Sequence, residues 1–398
     1  MTRDIKTSSK KSHREFSLFR YGFRPFFLFA SLHAAIVIPG WMALLHSVDG
    51  SRLPLSPFAW HAHEMIFGFV MAAIAGFLLT AIPSWTCRRG FAGMRLVVLV
   101  LVWLAGRLAM TLPLGLTPAV IAVVDLSFPL ALIIAIMPSL VRSGNRRNMV
   151  FIVFLVLLWL ANLRFHLSGM LSISTLHLAV NTILLMVTLV GGRIIPAFTS
   201  ARLKQTGISI SIPRHPTLDN AALITVIVVF AVDLFIPEGK TAGMVAAIAA
   251  LLLALRLARW QGYRVIGDPI LWVLHLGYLW LPVALGLKAA SLLAGFAPGI
   301  NWLHALTVGA FATMILAVMS RAALGHTGRP IIATPSVTLA YLLLTGAALA
   351  RVFAPVLFPS AVLWWLSVAA VLWTSAFALF LFNYVPILCG PRIDGRAG

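Results

Sequence analysis

Two histidines and a glutamate stand almost side by side at the start of a long apolar stretch of this sequence. His61, His63 and Glu64 occupy residues 60–64 together with a tryptophan and an alanine, and residues 65–82 carry no charge. Ionisable side chains are costly inside a lipid bilayer, so those found there usually mark a site. Neutral imidazole is the commonest protein ligand of metal ions. The segment therefore indicates a metal or haem centre inside a membrane protein.

The spacing of the two histidines assigns them to different faces of a helix. In an α-helix His61 and His63 are about 200° apart, so the two rings do not easily chelate one ion. One ring can ligate a haem iron while the other binds copper, a second haem or a propionate on the opposite side. Glu64 lies three residues after His61 on nearly the same face, where it can orient that ring or accept protons. We therefore take Glu64 as the candidate catalytic residue.

Small residues follow the histidines at four-residue spacing. Gly68, Ala72 and Gly76 form a ridge on one face of the expected helix. Such a ridge admits the close approach of another helix or of a flat macrocycle, and tight helix packing is the commoner explanation.

The composition identifies the class of protein. Hydrophobic residues make up 61% of the 398 residues and charged residues only 10%, which excludes a soluble globular domain. The formal net charge is +20, but the Lys and Arg residues occupy short breaks between apolar runs. The positive charge therefore reflects the orientation of the spans in the membrane and does not indicate a nucleic-acid partner. We predict an all-α integral membrane protein whose immediate partner is the lipid bilayer.

Apolar runs long enough to cross a bilayer recur along the whole chain. About 20 apolar helical residues cross the hydrocarbon core, which is roughly 30 Å thick. The sequence predicts about twelve such spans in one bundle, at residues 25–45, 58–82, 95–112, 118–140, 148–167, 173–197, 219–236, 242–260, 270–293, 301–323, 334–354 and 361–385. We assign residues 1–24 to a basic N-terminal segment, residues 25–385 to the transmembrane domain and residues 386–398 to a C-terminal tail.

The basic residues alternate between the breaks. The breaks are the segments between consecutive spans, numbered from the N-terminus. The even-numbered breaks contain several arginines and lysines, whereas the odd-numbered breaks are nearly free of positive charge. Loops rich in Lys and Arg stay on the cytoplasmic side of a membrane. The alternation therefore predicts a multi-pass protein with both termini in the cytoplasm.

This topology sorts the histidines by depth, and ligands of one centre must lie at a similar depth on neighbouring helices. Six of the eleven histidines fall near the extracytoplasmic ends of the spans; they are His46, His61, His63, His166, His177 and His304. His46 and His166 border loops, and we expect them to be solvated. His177 and His304 are candidate metal ligands together with His61 and His63. Hydrogen bonding between helices explains His177 and His304 equally well.

Arginines mark the opposite ends of the spans. Arg193 and Arg321 each stand at a span terminus beside glycine or proline. Such arginines can form a pocket for an anion or a haem propionate, although cytoplasmic positive charge and helix breaks explain the same pattern. We keep both as candidate cofactor-binding residues. At membrane depth, Asp125 and Arg107 in neighbouring spans predict a buried ion pair.

Several long motifs together resemble the NnrS family. They occupy residues 24–27 (RPFF), 60–64 (WHAHE), 191–199 (GGRIIPAFT), 304–311 (HALTVGAF), 319–322 (MSRA) and 325–328 (GHTG). The resemblance covers essentially the whole chain. It implies a twelve-span protein of the bacterial inner membrane that binds haem and copper and belongs to the response to nitric oxide. The chain has no C-x-x-C-H motif, so we expect a non-covalently bound, b-type haem.

The second, sixth and tenth spans are also similar in position to the histidine-bearing spans of the main subunit of haem–copper oxidases and nitric oxide reductases. The sixth span here lacks the His-x-x-x-Tyr pattern of that subunit, the region of the seventh lacks its adjacent His-His pair, and the tenth lacks its His-x-His pair. This argues against dioxygen reduction and leaves the copper ligands open. We assign His304, with His61 or His63, to the haem, and the remaining one of that pair, with His177, to a second centre.

Three classes of function stay open. The first is a metalloprotein that binds nitric oxide or a derived nitrosyl species, or that converts it as an oxidoreductase. It would need an unidentified electron donor and protons delivered by Glu64. The second is a transporter or a metal- or haem-trafficking protein in which the histidines form a transfer site. The third is a membrane sensor or assembly factor without turnover.

Overall fold

The computed structural model describes residues 17–46, 55–168, 173–207, 212 and 215–395. Within these residues the regular structure consists of α-helices with short 3₁₀ and π segments. Twelve of the helices are long and apolar enough to cross a membrane. The prediction of an all-α, twelve-span membrane protein is therefore confirmed.

The twelve long helices follow one another with short connections. They are α1 (Phe23–His46), α2 (Pro57–Thr86), α3 (Met94–Thr111), α4 (Pro118–Arg142), α5 (Val150–Ser168), α6 (Ile173–Gln205), α7 (Pro216–Phe235), α8 (Lys240–Ala258), α9 (Pro269–Ala294), α10 (Ala297–His326), α11 (Pro335–Val352) and α12 (Val362–Cys389).

Three helices begin where the sequence places Ser or Thr directly before proline. The side-chain oxygens of Ser56, Thr117 and Thr334 accept hydrogen bonds from backbone N–H groups three residues later, at 3.3, 3.4 and 3.3 Å. The following proline has no N–H that would be left unpaired in the first turn. Local sequence thus fixes the starts of α2, α4 and α11.

Four helices form the interior of the bundle. In their most apolar stretches, 83, 61, 72 and 67% of the residues of α2, α6, α9 and α10 are buried, against 22–44% in the other eight. Successive helices pack side by side, and α12 returns to pack against α1. His61 and His63 in α2, His177 in α6 and His304 in α10 all belong to inner helices. The candidate ligands therefore lie where neighbouring helices can surround them.

Two inner helices contain a π-helical segment. These segments are Glu64–Val70 in α2 and Ala305–Ala312 in α10. Each begins directly after a candidate ligand, His63 or His304. Segments of this kind are rare, and they occur frequently at functional sites. Because the turn is wider there, the 3.6-residue period no longer says which way the side chains in these segments point.

The small-residue ridge of α2 lets α1 approach closely. A Cβ atom on Gly76 would lie 2.7 Å from the ring of Phe27, and one on Gly68 would lie 2.9 Å from Cδ2 of His33. Ala72, between them, is fully buried. The ridge packs one helix against another, which is the commoner of the two explanations considered for it.

The tight contact between α1 and α2 can be tested by a substitution at Gly76. Replacing Gly76 by Ala forces the Phe27 ring to move, and we expect a loss of about 1–3 kcal/mol from overpacking. The matched control is Gly286→Ala in α9, where an added Cβ meets no atom within 4 Å. That change should leave stability equal or raise it by up to about 1 kcal/mol through helix propensity. Thermal unfolding midpoints in detergent measure both effects, and equal midpoints would contradict the contact.

Candidate functional site

A cavity of about 320 Å³ lies between the inner helices, at the end of the bundle where α2 and α10 begin. We call it the histidine cavity. Its walls are mainly aliphatic and aromatic, and its polar lining includes His61, His304, Thr307 and Arg351. The structure thus brings His61 and His304, from separate helices, to one apolar space.

The His61 ring is held in place but lacks a polar partner. The indole of Trp41 in α1 stacks on this imidazole, with ring centroids 4.3 Å apart and planes 25° apart. Nδ1 of His61 is buried and has no hydrogen-bond partner among the described residues. A buried polar atom without a partner is costly, and each such case calls for an explanation. A ligand in the cavity would provide one.

Arg351 of α11 brings a positive charge to the same cavity. Its Nη1 lies 3.5 Å from Oδ1 of Asn301. Within the part of the chain that the structure describes, no carboxylate forms an ion pair with Arg351, and Arg351 shares the cavity lining with His61 and His304. A guanidinium in apolar surroundings without a counter-charge favours an anionic group beside it.

Arg351 is not among the residues predicted from the sequence, although the distribution of charge contains a signal for it. This residue belongs to the end of the bundle that the charge alternation leaves nearly free of Lys and Arg. This departure from the alternation of charge is the signal that could have identified Arg351.

The opposite face of α2 carries a buried group of charged and polar side chains. We call it the carboxylate cluster; its members are His33, His63, Glu64, Arg107, Asp125, Asn162 and His166. Glu64 is 0% exposed and Asp125 is 1% exposed. Arg107 of α3 donates to Oε1 of Glu64 at 2.6 Å and also to Oδ1 of Asp125. The predicted ion pair between Arg107 and Asp125 is confirmed.

His63 lies at the centre of this cluster. Its Nδ1 is 3.2 Å from Oε1 of Glu64, and its Nε2 is 3.1 Å from Oδ2 of Asp125 and 3.0 Å from Oδ1 of Asn162. His61 instead lines the histidine cavity. The two histidines point to opposite sides of α2, as their spacing predicts.

The expectation that Glu64 orients His61 is wrong. The Glu64 carboxylate lies beside His63 and Arg107, and its Oε2 is 3.1 Å from Nε2 of His33. Glu64 is not part of the lining of the histidine cavity. A carboxylate buried at membrane depth requires a cation, and Arg107 offers one on the His63 side of the helix.

The expectation that His166 is solvated is also wrong. Its Nε2 lies 2.9 Å from Oδ2 of Asp125, and its side chain is 10% exposed. Helix α5 continues to Ser168, so His166 sits within the helix and is held against α4. His46, by contrast, is exposed as expected.

His177 belongs to a third polar group. Its Nδ1 lies 3.3 Å from the backbone oxygen of Asp233. Asn181 donates to Oδ2 of the same aspartate at 2.9 Å, and Lys288 pairs with Oδ1. Within the described residues, the groups around His177 and His63 share no member. The structure does not bring these two histidines together in one centre.

Arg193 and Arg321 lie away from the histidine cavity. Nη1 of Arg193 donates to Oδ1 of Asn148 at 2.9 Å, and the Arg321 guanidinium lies 4.0 Å from the centroid of the Phe198 ring. Arg321 follows His304 by seventeen residues of one helix, which corresponds to about 25 Å. Neither arginine lines the cavity.

The family of the chain follows from comparison with known proteins. The profile of the NnrS protein family matches residues 17–392, which is nearly the whole chain. The chain therefore belongs to the NnrS family, as its motifs predict. No curated protein matches the sequence.

The carboxylate cluster predicts a strong dependence of stability on Arg107. The Arg107→Gln variant leaves Glu64 and Asp125 buried without their cation, and we expect a loss of about 3–5 kcal/mol. The control is Arg202→Gln, because Arg202 pairs with Asp268 while 46% of its side chain is exposed. Exposed pairs of this kind contribute about 0–1 kcal/mol. Thermal unfolding in detergent compares the variants, and a wild-type midpoint for Arg107→Gln would show that the cluster does not stabilise the fold.

Proposed function

We propose that this NnrS-family protein binds haem in the histidine cavity and binds or converts nitric oxide there, as part of tolerance to nitrosative stress. The observation that carries the proposal is the cavity itself. Two imidazoles, His61 and His304, come from separate helices and face one apolar space, and Arg351 adds a positive charge to it.

The side chains that line the cavity fit a haem in kind. Aliphatic and aromatic walls suit an apolar macrocycle, imidazole suits its iron, and guanidinium pairs well with carboxylate. The unpartnered, buried Nδ1 of His61 supports an additional ligand at this place. His61 and His304 would hold the iron, and Arg351 would bind a propionate. We assign the propionate to Arg351 in place of Arg193 and Arg321, because only Arg351 lines the cavity.

The haem would supply a redox metal able to coordinate nitric oxide in exchange for one of the two imidazoles, with electrons from a donor still to be identified. The protein would position that metal and exclude water from it. The Trp41 ring stacked on His61 restrains the orientation of this imidazole. The apolar walls leave few polar groups to hold water beside it.

A second cavity of about 80 Å³ shares Val70, Ile183 and Phe311 with the histidine cavity. Its lining consists of aliphatic, aromatic and methionine side chains. Burying a polar or charged ligand without hydrogen bonds is unfavourable, whereas a small, weakly polar molecule such as nitric oxide meets no such penalty. This apolar space therefore supports a gas as the molecule that reaches the site.

The proposal gives Glu64 a positioning role. Glu64 contacts His63 and Arg107 on the face of α2 that points away from the cavity. It holds these two side chains and balances charge. We further propose that both termini are cytoplasmic and that the cavity lies toward the outer face of the bacterial inner membrane, because the basic loops alternate in that sense.

The histidine ligands are tested by haem content. In protein purified in detergent, we expect wild type to show a Soret band and both His61→Ala and His304→Ala to lose most of it, because each removes an iron ligand. His46→Ala is the matched control, since this histidine is the last residue of α1 and is exposed there. Unchanged haem in both cavity variants would refute the ligand assignment. A wild-type protein without any Soret band would instead favour the transporter hypothesis.

The role of Arg351 is tested by the rate of haem loss. A hydrogen bond to a charged group contributes about 1.5–3 kcal/mol, so Arg351→Gln should release haem to an acceptor such as apomyoglobin roughly 10- to 100-fold faster. Arg351→Lys keeps the charge and should lie between this variant and wild type. Arg264→Gln, at an exposed arginine, should leave the rate unchanged. Equal rates in all four proteins would exclude Arg351 as a propionate partner.

A further inference from the structure

We propose that the carboxylate cluster contains a second metal site, on the face of α2 opposite the histidine cavity. Nε2 of His63, Oδ2 of Asp125 and Nε2 of His166 are its ligand atoms. Oδ1 of Asn162 is the fourth. The inference goes beyond the proposed function, which concerns haem in the histidine cavity, and it rests on the contacts and donor atoms within the cluster.

The ligand atoms already lie close together. One atom from each of His63, Asp125 and His166 is within 4.8 Å of the other two. Oδ2 of Asp125 is 3.1 Å from Nε2 of His63 and 2.9 Å from Nε2 of His166. Around a tetrahedral ion with bonds near 2.0–2.1 Å, neighbouring ligand atoms stand about 3.3 Å apart. Small side-chain movements would therefore admit an ion.

The ligands come from three helices that pack against one another. His63 lies in α2, Asp125 in α4, and Asn162 and His166 stand one turn apart on the same face of α5. Nδ2 of Asn162 donates to Oδ2 of Asp125 at 2.7 Å, which directs Oδ1 of the amide toward His63, 3.0 Å away. The amide oxygen thereby lies beside Nε2 of His63.

Hydrogen bonds from neighbouring side chains hold the proposed ligands in place, as similar bonds do in known metal sites. Metal-binding histidines almost always donate their second ring N–H to a carboxylate, a carbonyl or water. Nδ1 of His63 lies 3.2 Å from Oε1 of Glu64, so a proton there leaves the lone pair of Nε2 for an ion. Arg107 binds Oδ1 of Asp125 and leaves Oδ2 to the site.

The charge of the cluster favours a cation. With neutral imidazoles, Glu64 and Asp125 carry two negative charges against the single positive charge of Arg107, and all three side chains are buried. In the tautomer that carries its proton on Nδ1, the lone pair of Nε2 faces oxygen atoms of Asp125 and Asn162 without any proton between them. A bound cation removes both problems, because it offsets the excess negative charge and separates the lone pairs.

The donor atoms indicate a first-row transition metal. Imidazole suits zinc, copper, iron and nickel, whereas sites of oxygen atoms alone suit magnesium and calcium. Among the divalent ions, copper has the highest affinity for a given set of nitrogen and oxygen ligands. Cu²⁺ is therefore the ion with which the site is loaded and tested.

The experiment tests the proposed metal site and the proposed haem site, on opposite faces of α2, independently of each other. Protein purified in detergent is stripped with a chelator, loaded with Cu²⁺ and freed of excess ion. Copper is then measured by mass spectrometry and haem by absorption. His63→Ala and His166→Ala should lose the bound copper and keep haem. His61→Ala, two residues from His63 on the opposite face, is the matched control and should lose haem while it keeps copper.

Electron paramagnetic resonance of the bound Cu²⁺ provides a second readout. Wild type should show hyperfine coupling to two imidazole nitrogens, and His166→Gln, which keeps a polar side chain in case the alanine variant misfolds, should lose one of them. Copper retained with an unchanged spectrum in the variants of both His63 and His166 would overturn the site, as would a wild type that binds no Cu²⁺. If wild type lacks haem but binds copper through His63, the proposed haem function fails and the metal site stands.

Discussion

Two carboxylates inside a membrane bundle must be neutralised by groups drawn from the helices around them, and this constraint organises the structure. Glu64 and Asp125 are buried in α2 and α4, and α3 supplies Arg107 to both. Imidazoles from α1, α2 and α5 complete the surroundings. Leaving a buried charge unpaired costs several kcal/mol. The cluster therefore fixes how the first five helices meet.

The same constraint sets the rotation of α2 and, through it, the histidine cavity. Because His63 is turned toward Asp125 and Asn162, His61 must face the other side of the helix. There it meets Trp41 from α1 and, across the cavity, His304 from α10. One helix thus separates an ionic environment from an apolar one. The first suits a small cation bound by several polar atoms, and the second suits a large, mostly apolar cofactor.

Much of this arrangement can be predicted from the sequence because it depends on local patterns. The twelve spans follow from apolar length, the start of α2 from Ser56 before a proline, and the opposite orientations of His61 and His63 from helical period. The Arg107–Asp125 pair follows from the cost of burying either charge alone. The partners of Glu64 and His166 could not be predicted, since they depend on which helices are neighbours. The π segments after His63 and His304 are likewise invisible to a 3.6-residue period.

The most direct measurement of the central claim is the absorption spectrum of the purified, reduced protein during titration with nitric oxide. The proposed haem in an apolar cavity, reached by a gas, predicts a Soret band whose position shifts as nitric oxide is added. A protein that shows no Soret band, or one whose band does not respond to nitric oxide, would contradict the account.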